Sequence, residues 1–185
     1  LIEWSRSGSG DARLTSPLDP AEMWAGGMGN LPVSPEQMET LPEPSKVAVE
    51  GDRAAYFYKG TGSRLVGPFD NIGIRSDTER TSAEGELVAV IYKGRIVAYS
   101  TGVEVAGGLL AKTWWYSVPS KVFKGCASLA TCVVTPESLP DATSRKIGLT
   151  ITRGGREEAK KDNTTEHRKS PDDIVQWIVG HDTPP

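Results

Sequence analysis

Histidine and cysteine are scarce in this chain of 185 residues, which has two of each. Cys126 and Cys132 are too few for a disulfide scaffold or a four-ligand zinc site. On one continuous strand their sulfurs would share a face roughly 20 Å apart, out of bonding range. They read as two small buried thiols. His167 and His181 both fall in the polar C-terminal stretch. Nucleophilic catalysis needs its base held rigidly beside the nucleophile, and a polar tail gives no such hold. Both are expected to face solvent.

Other absences narrow the reading further. The net charge is -3, so there is no surplus of Lys and Arg to displace counterions from phosphates, and nucleic acid is not expected as the main ligand. No apolar run approaches the roughly 20 residues of a membrane helix. The chain opens on Leu1 with no charged and apolar leader behind it, as in a processed product or an excised fragment. Glycine pairs stand at Gly26-Gly27, Gly107-Gly108 and Gly154-Gly155. None is followed by Gly-Lys-Ser/Thr, and none makes a GxGxxG turn between strand and helix.

What is present is turn chemistry and aromatics. Twenty Gly, thirteen Pro, five Trp and five Tyr accompany a hydrophobic fraction of 37%. That suits many short elements around a modest core. Residues 1–45 read as irregular, with a candidate strand at Leu1–Trp4 and two short helices. Asp19-Pro20-Ala21-Glu22 offers a cap, an N1 proline and a first-turn acid, and would start a helix carrying Met23 and Trp24 to Gly26. Ser34-Pro35-Glu36-Gln37 repeats that logic, with Met38 and Leu41 apolar and Pro42 as the stop.

Residues 46–152 read as a β domain. Strand candidates are Lys46–Glu50, Ala54–Tyr58, Lys112–Val118, Ser128–Val134 and Lys146–Thr152. The strongest signal is the hairpin from Leu87 to Val105. Its apolar arms flank Lys93-Gly94, where glycine supplies the positive φ of a tight turn. An aromatic-Lys-Gly triplet recurs at Tyr58-Lys59-Gly60, Tyr92-Lys93-Gly94 and Phe123-Lys124-Gly125, with unequal spacing. It reads as one turn device used three times rather than a structural repeat. Residues 153–169 hold mixed charge and no large apolar side chain, as a flexible linker or loop would. Residues 170–185 carry a capped short helix whose apolar residues nearly encircle it, so it must dock, followed by a tail.

Few residues suggest chemistry. Glu84 and Glu86 flank Gly85 at the head of the strongest strand. Paired carboxylates serve acid–base chemistry only when they face one cleft, of which the sequence gives no sign, and the expectation for Glu84 is solvated acid. Glu157-Glu158 reads the same way, and Asp172-Asp173 as helix capping. Asn163-Thr164-Thr165 is a glycosylation sequon of a kind that arises by chance. The aromatic cluster Trp114, Trp115 and Tyr116 splits across two strand faces, and the sequence fits equally two covered faces or one covered and one open to a partner. Ile174, Trp177 and Ile178 of the last helix form the second candidate contact.

The expected fold is therefore mainly β, an antiparallel β-sandwich or jelly-roll-like barrel with two or three short peripheral helices. The expected function is a non-enzymatic structural or interaction module, such as a viral coat or capsid surface domain. It would self-associate or contact a neighbouring subunit, without cofactor or metal, in an extracellular or virion setting. The alternatives are a secreted or cell-surface domain binding protein or glycan, and a hydrolase with an unseen cleft.

Overall fold

The computed structural model describes residues 14–26, 34–41, 43–51, 55–108, 116–167 and 169–181. Along the chain these form β1 (Met23–Gly26), α1 (Pro35–Thr40), α2 (Glu43–Glu50), β2 (Tyr56–Gly60), β3 (Leu65–Val66), β4 (Thr81–Tyr92), β5 (Arg95–Gly107), α3 (Ser117–Lys121), β6 (Ala127–Leu129), β7 (Lys146–Arg153), β8 (Arg156–Thr164) and α4 (Pro171–His181). Single 3-10 turns occur at Gly62–Arg64, Pro136–Ser138 and Ala142–Ser144.

The fold is mainly β with a few short helices, as expected, but it is neither a jelly roll nor a simple sandwich. The strands make a four-stranded sheet in the order β3-β6-β5-β4 and two two-stranded sheets, β1-β2 and β7-β8. In the larger sheet β3 runs parallel to β6, with Leu65 opposite Ala127. β5 runs antiparallel to β6 on its other side, with Glu104 opposite Ala127 and Gly102 opposite Leu129. A parallel pair cannot be closed by a hairpin, and here the chain makes β4, β5 and α3 between the two members.

The β4–β5 hairpin forms as the sequence indicates. Lys93 has φ 50° and Gly94 φ 72°, the left-handed pair that matches the twist of the arms. α1 is also legible: Ser34 Oγ accepts from the Gln37 amide while Gln37 returns a bond to the Ser34 amide.

Five expectations are corrected. Met23–Gly26 is a strand instead of a helix, because Trp24 meets Tyr56 and Tyr58 edge-on, each at 5.6 Å. Lys46–Glu50 lies in helix α2, where Lys46 pairs one turn back with Glu43 at 3.0 Å. Strand preference of the valines there yields to that context. Within the expected strand Lys112–Val118, residues from Ser117 form α3, with Pro119 in the first turn where it costs no hydrogen bond. β6 stops at Leu129, short of Val134. Finally, the expected linker contains β8, paired in register from Lys146–Thr164 to Arg153–Arg156 with a bulge at Ile151/Thr152. Backbone hydrogen bonding makes this strand, so its polar side chains gave no sign of it. The candidate strand Leu1–Trp4, with Trp114 and Trp115, lies outside the described residues.

The chain packs as two compact units. The first comprises Leu1–Met23, Lys59–Val88 and Ser100–Val134. Its core is Val105, Phe123 and Cys126, with Val103 packed against them. The expected pair of buried thiols is half right, since both are free but Cys132 is exposed. The second unit comprises Trp24–Tyr58, Ala89–Tyr99 and Thr135–Pro185. There α4 docks on its own chain, burying Val175 and Ile178 and setting Val179 against Gly94 at the hairpin turn.

Candidate functional site

The first unit gathers charged side chains that the sequence scatters. Glu84 and Glu86 stand two residues apart on β4, so they leave the same face of the strand. Glu104 lies on the neighbouring strand β5, between Val103 and Val105. Lys59 is the penultimate residue of β2, and Lys121 the last of α3.

Lys59 is 2% exposed, and its ammonium donates to three oxygens. These are Glu104 Oε1 at 2.5 Å, the Val105 carbonyl at 2.9 Å and the Lys121 carbonyl at 2.5 Å. An ammonium has three protons, so every one is used, as a buried charge demands. The second oxygen of Glu104 accepts from Lys121 Nζ at 2.6 Å, and Lys121 Nζ lies 4.0 Å from Glu84 Oε1. One buried carboxylate is thus shared between two lysines, with Glu84 and Glu86 alongside. The crowding shows in Glu86. Its partial burial, then the charges of Glu84 and Glu104, push its pKa up to about 7 against the opposing pull of Lys121.

The backbone around the cluster is tightly constrained. The Val105 amide donates to the Cys126 carbonyl at 2.9 Å, and Cys126 Sγ donates to the Lys59 carbonyl at 3.5 Å. Gly125, at φ 73°, lets the chain turn against Gly73, where a Cβ would come within 2.5 Å of the Gly73 nitrogen. Arg75 forks onto Asp77 at 2.8 and 2.5 Å, holding that carboxyl below its ordinary range, and donates to the Pro119 carbonyl at 3.2 Å. Its guanidinium also lies 5.9 Å from the Phe123 ring. Arg75 so ties the loop before β4 to the helix that carries Lys121.

Chemically, a half-buried carboxyl titrating near neutrality can move protons, and the ammonium beside it can stabilise or protonate an oxygen that gains negative charge. Three carboxylates are also a hard oxygen donor set of the kind that takes magnesium or calcium. Among the described residues no three His, Cys, Asp or Glu side chains are spaced to hold an ion in the present arrangement. There both oxygens of Glu104 engage lysines. The donor chemistry fits a hard divalent cation. Such an ion would offset the part of the rise in the Glu86 pKa that comes, after burial, from the charges of Glu84 and Glu104.

Sequence reasoning placed its candidates elsewhere. Tyr116 is 52% exposed, and Ile174, Trp177 and Ile178 belong to the second unit; none of them joins the carboxylate–lysine cluster. His181 stacks on Trp177 at 4.4 Å, and His167 is half-buried, with its pKa lowered by that burial. Glu84 is exposed, as the sequence suggests, while Glu86 is half-buried. The overlooked signal was Glu104, a charge set inside the apolar run Val103–Ala106, which only a buried partner explains.

Comparison with known proteins gives the cluster its context. The profile of the fumarylacetoacetate (FAA) hydrolase C-terminal family matches residues 30–181. The chain is 34% identical over 182 residues to a probable 2-keto-3-deoxyxylonate dehydratase of Haloferax volcanii, covering 95% of this chain and 62% of that protein. It is 32% identical over 181 residues to the 2-dehydro-3-deoxy-D-arabinonate dehydratase of Saccharolobus solfataricus, covering 91% and 60%. The solved apo form of a 2-keto-3-deoxy-D-arabinonate dehydratase superposes on all of this chain and 66% of its own, with a TM-score of 0.88 and 27% identity. The same enzyme complexed with magnesium and 2,5-dioxopentanoate gives a TM-score of 0.86 at 26% identity. The chain therefore spans about six-tenths of the length of the curated relatives it matches.

These findings overturn the expectation of a non-enzymatic coat, capsid or binding module, because the relatives are enzymes across nearly the whole of the shared length. The misreading has a physical root. In the sequence neither a rigidly held histidine nor a cleft of paired carboxylates is visible, whereas the structure brings Glu84, Glu86, Glu104, Lys59 and Lys121 together. With a profile match over most of its length and relatives above 30% identity, the chain belongs to the fumarylacetoacetate hydrolase family.

Proposed function

We propose that this chain carries the catalytic portion of a dehydratase that removes water from a 2-keto-3-deoxy sugar acid with the help of a divalent cation. The observation that supports it most is the buried cluster of Glu84, Glu86, Glu104, Lys59 and Lys121. The substrate class rests on the two dehydratases that share about a third of their residues with it.

Dehydrating such an acid passes a proton from the carbon beside the ketone to water at the open side of the site. It releases the hydroxyl of the next carbon, protonated, as water, so that the net loss is one water molecule. Negative charge builds on the ketone oxygen, and the departing hydroxyl needs a proton. Glu84, Glu86 and Glu104 would hold the cation, which when bound supplies Lewis-acid polarisation of the keto group. Lys59 fixes one oxygen of Glu104 from the buried side, so that carboxylate cannot turn away. Lys121, with a quarter of its side chain exposed, is the ammonium placed to protonate the leaving hydroxyl.

The test is to supply the purified chain with a 2-keto-3-deoxypentonate and magnesium, and to follow loss of substrate and gain of the unsaturated keto acid or of the dicarbonyl to which it tautomerises. Turnover should vanish with a chelator, return with magnesium, and fall at least about a hundredfold in Glu84→Gln and Glu86→Gln. A magnesium-loaded chain that leaves the acid untouched refutes the substrate reading.

A further inference from the structure

The two lysines that share Glu104 are not equivalent. Lys59 is sealed at 2% exposure and also bonds two backbone carbonyls, so it is a fixed part of the fold. The side chain of Lys121 is 24% exposed, and its ammonium sits at the carboxylates themselves, 2.6 Å from Glu104 Oε2 and 4.0 Å from Glu84 Oε1. Three carboxylates against the one fixed ammonium leave a deficit of two charges when all are ionised. Lys121 halves that deficit, and a divalent cation closes it. A small hard cation bonds carboxylate oxygens at about 2.0–2.1 Å, so it and an ammonium cannot both use Glu104 Oε2 without like charges in contact.

We propose that Lys121 is a resident stand-in for the divalent cation, neutralising Glu104 and Glu84 while the ion is absent and displaced from them when it binds. Metal loading then does two things at once. It fills the carboxylate cluster, and it releases an ammonium at the open side of the site, where a substrate anion or leaving hydroxyl needs one. The site thus stays compact without metal, and its proton donor is free only once the ion is in place. This inference rests on the metal part of the functional reading and not on the substrate.

The experiment is limited acetylation of lysines with and without magnesium chloride, mapped by mass spectrometry. Calorimetry on the same samples establishes that the ion has bound. Magnesium should raise the labelling rate of Lys121 severalfold, leave Lys93 and Lys124 unchanged, and leave Lys59 unlabelled throughout. As a second arm, Lys121→Met should bind magnesium about tenfold more tightly than the wild type, because the competing cation is gone. Equal labelling of Lys121 in empty and loaded wild-type chain overturns the proposal, while dehydratase activity can still stand. Failure of magnesium to bind overturns both. Magnesium-dependent release of Lys121 in a chain that dehydrates nothing supports this proposal and ends the substrate reading.

Discussion

Replacing Lys59 by methionine removes one charge and three hydrogen bonds at a stroke, and the structure says how much that should cost. The Lys59 side chain is 3% exposed and that of Glu104 8%, so the pair is buried on both sides. Breaking such a pair by deleting one member typically costs about 3–5 kcal/mol, mainly because the remaining charge has no water to turn to. Lys59→Met leaves Glu104 with Lys121 but takes a donor from the Val105 and Lys121 carbonyls, which holds the estimate within this range. Glu104→Met strands a buried ammonium and should cost as much. Replacing both with methionine substitutes a well-shaped apolar pair, and the double variant should recover at least about 2 kcal/mol of the summed losses. The assay is urea unfolding by circular dichroism, with hydrogen exchange of the Val105 amide, bonded to Cys126, as the local probe. In melting temperature the single variants should lose roughly 6–20 °C for a chain of this size. Additive losses, or a Lys59→Met variant within about 1 kcal/mol of wild type, would refute the claim that this ion pair holds the cluster together.

Other outcomes are expected from the same geometry. Glu86 has its pKa raised from 4.5 to about 7, so folding tightens its hold on a proton. Its contribution is whole below pH 4.5 and lost as pH rises to 7, giving metal-free protein a decline of roughly 2 to 3 kcal/mol that Glu86→Gln should flatten in pH-dependent unfolding. Gly125→Ala should cost at least about 1–2 kcal/mol, measured by thermal melting, since φ is 73° and a Cβ would meet the backbone of Gly73. Thr165 is 5% exposed, and its hydroxyl donates to the Ala142 carbonyl at 2.7 Å while accepting from the Arg145 amide at 2.8 Å. Thr165→Val should therefore lose about 1–3 kcal/mol in urea titration, and a silent substitution would show those bonds to be dispensable.

The legible parts of the fold were those whose cause is local. Lys93-Gly94 between apolar arms, the Ser34 capping box and the alternation of β7 each carry their own signal within a dozen residues. The illegible parts depend on partners far away in the chain. β8 is a strand because β7 offers it hydrogen bonds, and α2 is a helix despite its valines. The site belongs to the second kind. Glu84 and Glu86 look like surface acids until Glu104 and Lys121 are brought beside them. Lys59 was hidden by its own context. Tyr58-Lys59-Gly60 reads as a turn, and Gly60 does take φ 128°, yet Lys59 itself is a buried strand residue. The recurring aromatic-Lys-Gly triplet was sound as turn chemistry, since Gly94 and Gly125 also have positive φ, but it drew attention from the one lysine that is not a turn residue.

The reach of Lys59 has a kinetic consequence. Its three acceptors lie 45, 46 and 62 residues further along the chain. Contacts of such separation close large loops and form late in folding, and an ammonium gains nothing by leaving water before its carboxylate has arrived. The Lys59 network should be largely absent from the folding transition state. Variants at this lysine would then refold at the wild-type rate and unfold faster. How long the assembled site survives between openings would accordingly be governed by the unfolding rate, through a side chain that never meets solvent.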